Sequence, residues 1–144
     1  MKVKAKHYAA LALVVLTSSV GANQVIRITP PQEVRNVICE ATYGLKFPTA
    51  KDVAAVAWVE SRFNPKARNG ISKGVMQVNN GSYDLDLNIW KGTSMLAQLY
   101  STLGNHKASF LAYNVGLGGY KSGRGRDEYY RKVMDARSKV DITC

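Results

Sequence analysis

One carboxylate, Glu60, lies where a chain would keep an acid for proton transfer. The run Thr49-Ala50-Lys51-Asp52 reads as a helix start, with Thr49 as N-cap and Asp52 placed to close a capping box. Val53, Val56, Ala57 and Glu60 follow at i, i+3, i+4 and i+7, so Glu60 projects from the apolar stripe that meets the core. Asn64-Pro65 is expected to end this helix, because the residue before a proline is disfavoured in helical geometry. The dipole at a helix C-terminus disfavours negative charge, and an apolar stripe removes water. Both raise a carboxyl pKa. A carboxyl still protonated near neutrality is what general-acid chemistry requires. The plainer alternative is an ion pair with Arg62 or Lys66.

The elements that must hold Glu60 are mostly helical. Thr29-Pro30-Pro31-Gln32 predicts a first helix capped by Thr29, with Val34, Val37, Ile38 and Ala41 inward and Gly44 as stop. The glutamate helix spans Ala50 to about Arg62, and Lys66 to Lys73 reads as a surface loop. Gly74 lets the backbone turn into the short apolar segment Val75-Met76-Gln77-Val78. A second loop to Leu87 precedes a helix from about Asn88 to Leu103, capped by Asn88, with Ile89, Leu96, Leu99 and Leu103 inward. Another helix covers His106 to Tyr113, and Gly116 to Gly125 is a flexible glycine-bearing stretch bordering a groove. Asp127 caps a last helix in which Tyr130, Val133, Met134 and Arg137 share a face, Arg137 at its margin. No segment alternates as a strand. The class is all-α, with a minor hairpin near Met76 left open.

The chain has 144 residues and a formal charge of +10, which predicts one domain. Its start is a basic n-region (Lys2, Lys4, Lys6), an apolar stretch from Tyr8 to Leu16 and a small-residue step, Val20-Gly21-Ala22. This predicts a signal peptide over 1–22 and a mature domain over 23–144, with no membrane span after cleavage. Loss of those three lysines reduces the 20 Lys and Arg to 17, against 10 acids. The remaining basic residues are scattered and no zinc-finger or RNA-binding motif occurs, which argues against nucleic acid. Cys39 and Cys144 are an even pair near opposite ends of an exported chain, which suggests one bridge worth roughly 4–5 kcal/mol on the chain-entropy model. Two free thiols or an intermolecular bond remain alternatives. No cysteine and histidine cluster has metal-ligand spacing, and no cofactor is expected.

Glu60-Ser61-Arg62-Phe63-Asn64-Pro65, Gly74-Val75-Met76-Gln77-Val78, Asn88-Ile89, Ala112-Tyr113-Asn114 and Tyr129 follow in order. Together, over roughly Pro48 to Met134, they resemble the soluble, lysozyme-like lytic transglycosylases, which cleave the glycan strands of peptidoglycan. The resemblance implies a lysozyme-like single domain with helices around a substrate cleft. It also implies one catalytic glutamate, Glu60, which protonates the glycosidic oxygen between N-acetylmuramic acid and N-acetylglucosamine. As a carboxylate it then takes the proton of the muramic C6 hydroxyl, giving a 1,6-anhydro end. Ser61, Met76, Gln77, Tyr113, Asn114 and Tyr129 are carried over as substrate-binding residues, with Tyr130 beside the last as an apolar neighbour.

Two alternatives belong beside that reading. A hydrolase needs a second carboxylate, for which Asp84 and Asp86 are the candidates. A wall-binding assembly protein without activity is the other. The sequence departs from the commoner pattern in a short segment before Gly74, in Asn79-Asn80 and in a compact Gly116 to Asp127. These departures suggest a minimal enzyme, like those of secretion, conjugation or phage-infection assemblies; a monomer is expected. Its expected place is the periplasm of a Gram-negative bacterium, or the virion or medium if phage-encoded.

Overall fold

The computed structural model describes residues 25–144. The expected signal peptide, residues 1–22, lies outside them. Five helices and a small antiparallel sheet are found among the described residues: α1 (Gln32–Thr42), α2 (Ala50–Ser61), β1 (Arg68–Asn69), β2 (Ser72–Lys73), β3 (Val78–Asn79), α3 (Leu85–Leu103), α4 (His106–Lys121) and α5 (Asp127–Lys139). The sheet order is β1-β2-β3, so the hairpin left open near Met76 exists, as three strands of two residues. The expected loop from Lys66 to Lys73 holds its first two strands. No helix among the described residues is long and apolar enough to cross a membrane.

The glutamate helix α2 is the centre of the fold. Val53 to Ala57 are all fully buried, so its wall of apolar contact runs right round rather than along one stripe. Its start is as expected: Thr49 Oγ1 accepts from the Asp52 N–H while Asp52 Oδ2 accepts from the Thr49 N–H, a complete capping box. Asp52 Oδ1 also accepts from Arg137 Nε of α5 at 2.6 Å, so one buried carboxylate ties the start of α2 to the last helix. Arg137 is thus an ion-pair partner rather than part of an apolar face. The face it borders buries Tyr129, Val133 and Ala136, with Tyr130 and Met134 half-buried against the core as expected.

Three boundaries differ from expectation, and the glutamate helix ends where expected but by another means. The first helix starts at Gln32 with Pro31 as its unbonded N-cap, not at Pro30 with Thr29 as cap, because a following proline disfavours helical geometry at Pro30. Helix α2 ends at Ser61 through Arg62 and Phe63, both left-handed (φ +54° and +61°), before Pro65 acts. Phe63 is then buried against Trp58, with ring centroids 5.5 Å apart. Helix α3 begins at Leu85 and is capped by Asp84, whose Oδ1 accepts from the Leu87 N–H at 3.0 Å; Asn88 lies inside it. Helix α4 resumes after one non-helical residue, Gly116 (φ +79°), so the glycine stretch is a kinked helix in its first half.

The ends of the described chain are fastened together. Ile28 pairs with Val140 in a parallel bridge, its N–H donating to Lys139 O and its carbonyl accepting from the Asp141 N–H. Cys39 and Cys144 form a disulfide, with Cα atoms 5.6 Å apart.

Candidate active site

The segment after Gly74 is built to an unusual tolerance. Gly74 has φ +80°, and a Cβ there would strike the Asn88 carboxamide; a Cβ on Gly92 would strike the Met76 side chain. Asn88 is 1% exposed and all its polar atoms are engaged. Its Oδ1 accepts from the Met76 N–H (2.8 Å), and Nδ2 donates to Lys73 O (2.7 Å) and Ser82 O (2.9 Å). Gln77 is left-handed (φ +49°), a conformation costing a non-glycine residue roughly 1–2 kcal/mol. Its own Nε2 offsets that by donating to Gly74 O (2.9 Å) and Ala67 O (3.0 Å).

This segment is braced at two points, one by α2 and one by α4. Ser61 Oγ donates to Val75 O at 2.6 Å, at the end of the glutamate helix. Tyr113 Oη of α4 donates to Met76 O at 2.7 Å. A cleft of about 580 Å³ opens above, walled by Glu60, Gln77 and Tyr113 with Asn69, Ser72 and Asn79 of the sheet, Gln98 and Thr102 of α3, and Asn114 of α4. Glu60 is the one carboxyl among the described residues of that wall; the rest of their polar side chains are amides and hydroxyls.

Glu60 is half-buried, and Oε1 accepts a hydrogen bond from Tyr129 Oη of α5 at 2.7 Å. Burial raises its carboxyl above the ordinary value, and the Tyr129 bond offsets part of that rise. Burial first, and the nearby Glu60 charge second, push the Tyr113 and Tyr129 hydroxyls well above the usual phenol range. Tyr129 therefore stays a donor to Glu60.

The structure brings together Glu60, Gln77, Tyr113, Asn114 and Tyr129. Tyr129 rather than Tyr130 reaches the glutamate; Tyr130 packs on Phe110. Met76 is fully buried beneath the cleft and contributes through its backbone carbonyl. Ser61 spends its hydroxyl on the backbone and does not line the cleft. Asp84 and Asp86 are exposed at the start of α3 and off the cleft wall. Asn69, Ser72, Gln98 and Thr102 were not foreseen, since their approach depends on the packing of α3 against the sheet.

Residues 48–133, more than half of the chain, match the family model of the transglycosylase SLT domain. The chain belongs to that family. Its fold is similar to the 70 kDa soluble lytic transglycosylase of Escherichia coli, with a TM-score of 0.52 and 25% sequence identity over 72% of this chain. The match spans 22% of that larger protein, so this SLT domain corresponds to one part of it.

Proposed function

We propose that the chain is a peptidoglycan lytic transglycosylase in which Glu60 works alone. Its proton passes to the glycosidic oxygen between N-acetylmuramic acid and N-acetylglucosamine as the C1–O bond breaks. The muramic C6 hydroxyl then attacks C1, and its proton returns to the Glu60 carboxylate. A 1,6-anhydro bond replaces the glycosidic one, Glu60 is regenerated and no water is consumed.

The observation that carries this reading is a single carboxyl on the cleft wall, half-buried, with its proton affinity raised. Tyr129 orients it, and the amides around it suit neutral sugars, whose hydroxyl and N-acetyl groups both donate and accept. The substrate's own hydroxyl supplies the nucleophile at high effective molarity, so no second carboxylate is required to activate water. Membership of the SLT family supports the substrate class. The disulfide supports an extracytoplasmic address, in the periplasm or, for a phage-borne chain, the virion. Local opening of the wall for a secretion, conjugation or phage-infection assembly fits the short segment before Gly74 and the compact stretch from Gly116 to Asp127.

Mass spectrometry of muropeptides released from purified peptidoglycan tests the reading. Anhydro products, one water lighter than reducing-end products, are expected, with Asp84→Asn and Asp86→Asn costing less than about tenfold in rate. Reducing ends together with activity lost in either variant would establish a hydrolase instead.

A further inference from the structure

The cleft is not uniform in charge. At Glu60 and Asn114 it meets a smaller cavity of about 280 Å³, whose wall also carries Arg126, Glu128, Tyr129 and Lys132. Among the described residues the larger cleft has no lysine or arginine on its wall, whereas this arm has two cations for one acid beyond Glu60. Lys132 Nζ contacts Glu128 Oε1 at 2.9 Å, so that acid is already compensated. Arg126 is exposed; its carbonyl accepts from the Tyr129 N–H, but its guanidinium has no hydrogen-bond or ion-pair partner among the described residues. Its guanidinium presents a planar fork of donors that matches a carboxylate in bidentate fashion.

On the reading under Proposed function, the muramoyl residue is bound with C1 at Glu60. Its lactyl branch, attached to the same ring, must therefore leave the cleft within a few bonds of that carboxyl. We propose that the arm walled by Arg126 and Lys132 receives a carboxylate carried on this lactyl branch. The group is a free carboxylate of the peptide stem, or the lactyl carboxylate itself where the stem has been removed. Arg126 supplies the open fork, and Lys132 adds positive potential once a second anion shares it with Glu128. The arm would thus give the enzyme a preference among muramoyl residues that the uncharged sugar cleft does not supply.

Three substrates separate the possibilities: peptidoglycan with native stems, the same material with its stem carboxylates converted to carboxamides, and glycan strands stripped of stems by an amidase. Cleavage by the parent protein is compared with that by Arg126→Gln/Lys132→Gln; both positions are exposed, so the fold is retained. On native stems the variant is expected to raise KM about tenfold with kcat little changed, as for loss of a charge-assisted contact partly open to solvent. The parent should show the same rise on amidated stems, and the variant should no longer tell the two apart. A loss confined to stripped strands, with the parent indifferent to amidation, would assign the contact to the lactyl carboxylate. A variant unchanged on all three, or weakened equally on all three, overturns the inference. If the parent cleaves none of them, the transglycosylase reading falls and takes this inference with it.

Discussion

Replacing Asn88 by alanine removes one acceptor and two donors from a side chain that is 1% exposed. The Met76 N–H loses its partner in the core, and the Lys73 and Ser82 carbonyls lose theirs at half-buried positions that water can reach. A buried unsatisfied backbone group costs about 1–3 kcal/mol, and a rehydrated one less, so about 2–4 kcal/mol of stability should be lost. That is a large share of the roughly 5–15 kcal/mol typical of a domain, and corresponds to a fall in Tm of roughly 10 °C. Asn88→Asp should cost at least as much, because it keeps the acceptor for Met76 but turns carboxylate oxygen toward two carbonyls. Thermal unfolding by circular dichroism, with the disulfide intact, reads the effect. Activity at 25 °C should also fall, because Met76 holds the Tyr113 hydroxyl and Gln77 follows it on the same turn. An Asn88→Ala protein melting within about 2 °C of the parent would refute the reasoning, since no three-bond anchor could then exist.

Tyr129→Phe removes the hydrogen bond that lowers the Glu60 pKa and leaves burial, which raises it. Since a general acid must be protonated, activity falls as pH rises through that pKa, so the alkaline limb of the pH–rate profile should move to higher pH; an unmoved limb counts against Tyr129 as the partner. Intact mass without reduction should show no alkylatable thiol, and Cys39→Ser/Cys144→Ser should lower stability by up to about 4–5 kcal/mol in urea titration; two free thiols in exported material would contradict the bridge.

Local features were legible in the sequence and distant ones were not. The Thr49–Asp52 capping box and the place of Glu60 near a helix end depend on neighbours within one or two turns, and both stand. The turn at Gly74 was legible for the same reason. Asn88 read as a cap because its true partners lie 6 to 15 residues away and meet it only after the chain folds back. Arg137 read as the margin of an apolar face because Asp52, 85 residues earlier, cannot be inferred from helical periodicity. Strands of two residues are too short to show alternation, which is why the sheet beside the cleft was visible only as an open possibility. The glutamate itself was found from its own helix, but its tyrosine came from the order of motifs and not from spacing.

The most direct measurement is muropeptide release from purified peptidoglycan by Glu60→Gln, alongside thermal unfolding of the same preparation. Glutamine keeps the shape and still offers an oxygen to Tyr129, so the fold and wall binding should be nearly unchanged. It has no proton to give a leaving oxygen and cannot take one back, so release should fall by at least about 10²–10⁴-fold. A folded Glu60→Gln protein that releases anhydro-muropeptides at near-parental rate would contradict the one-glutamate mechanism outright.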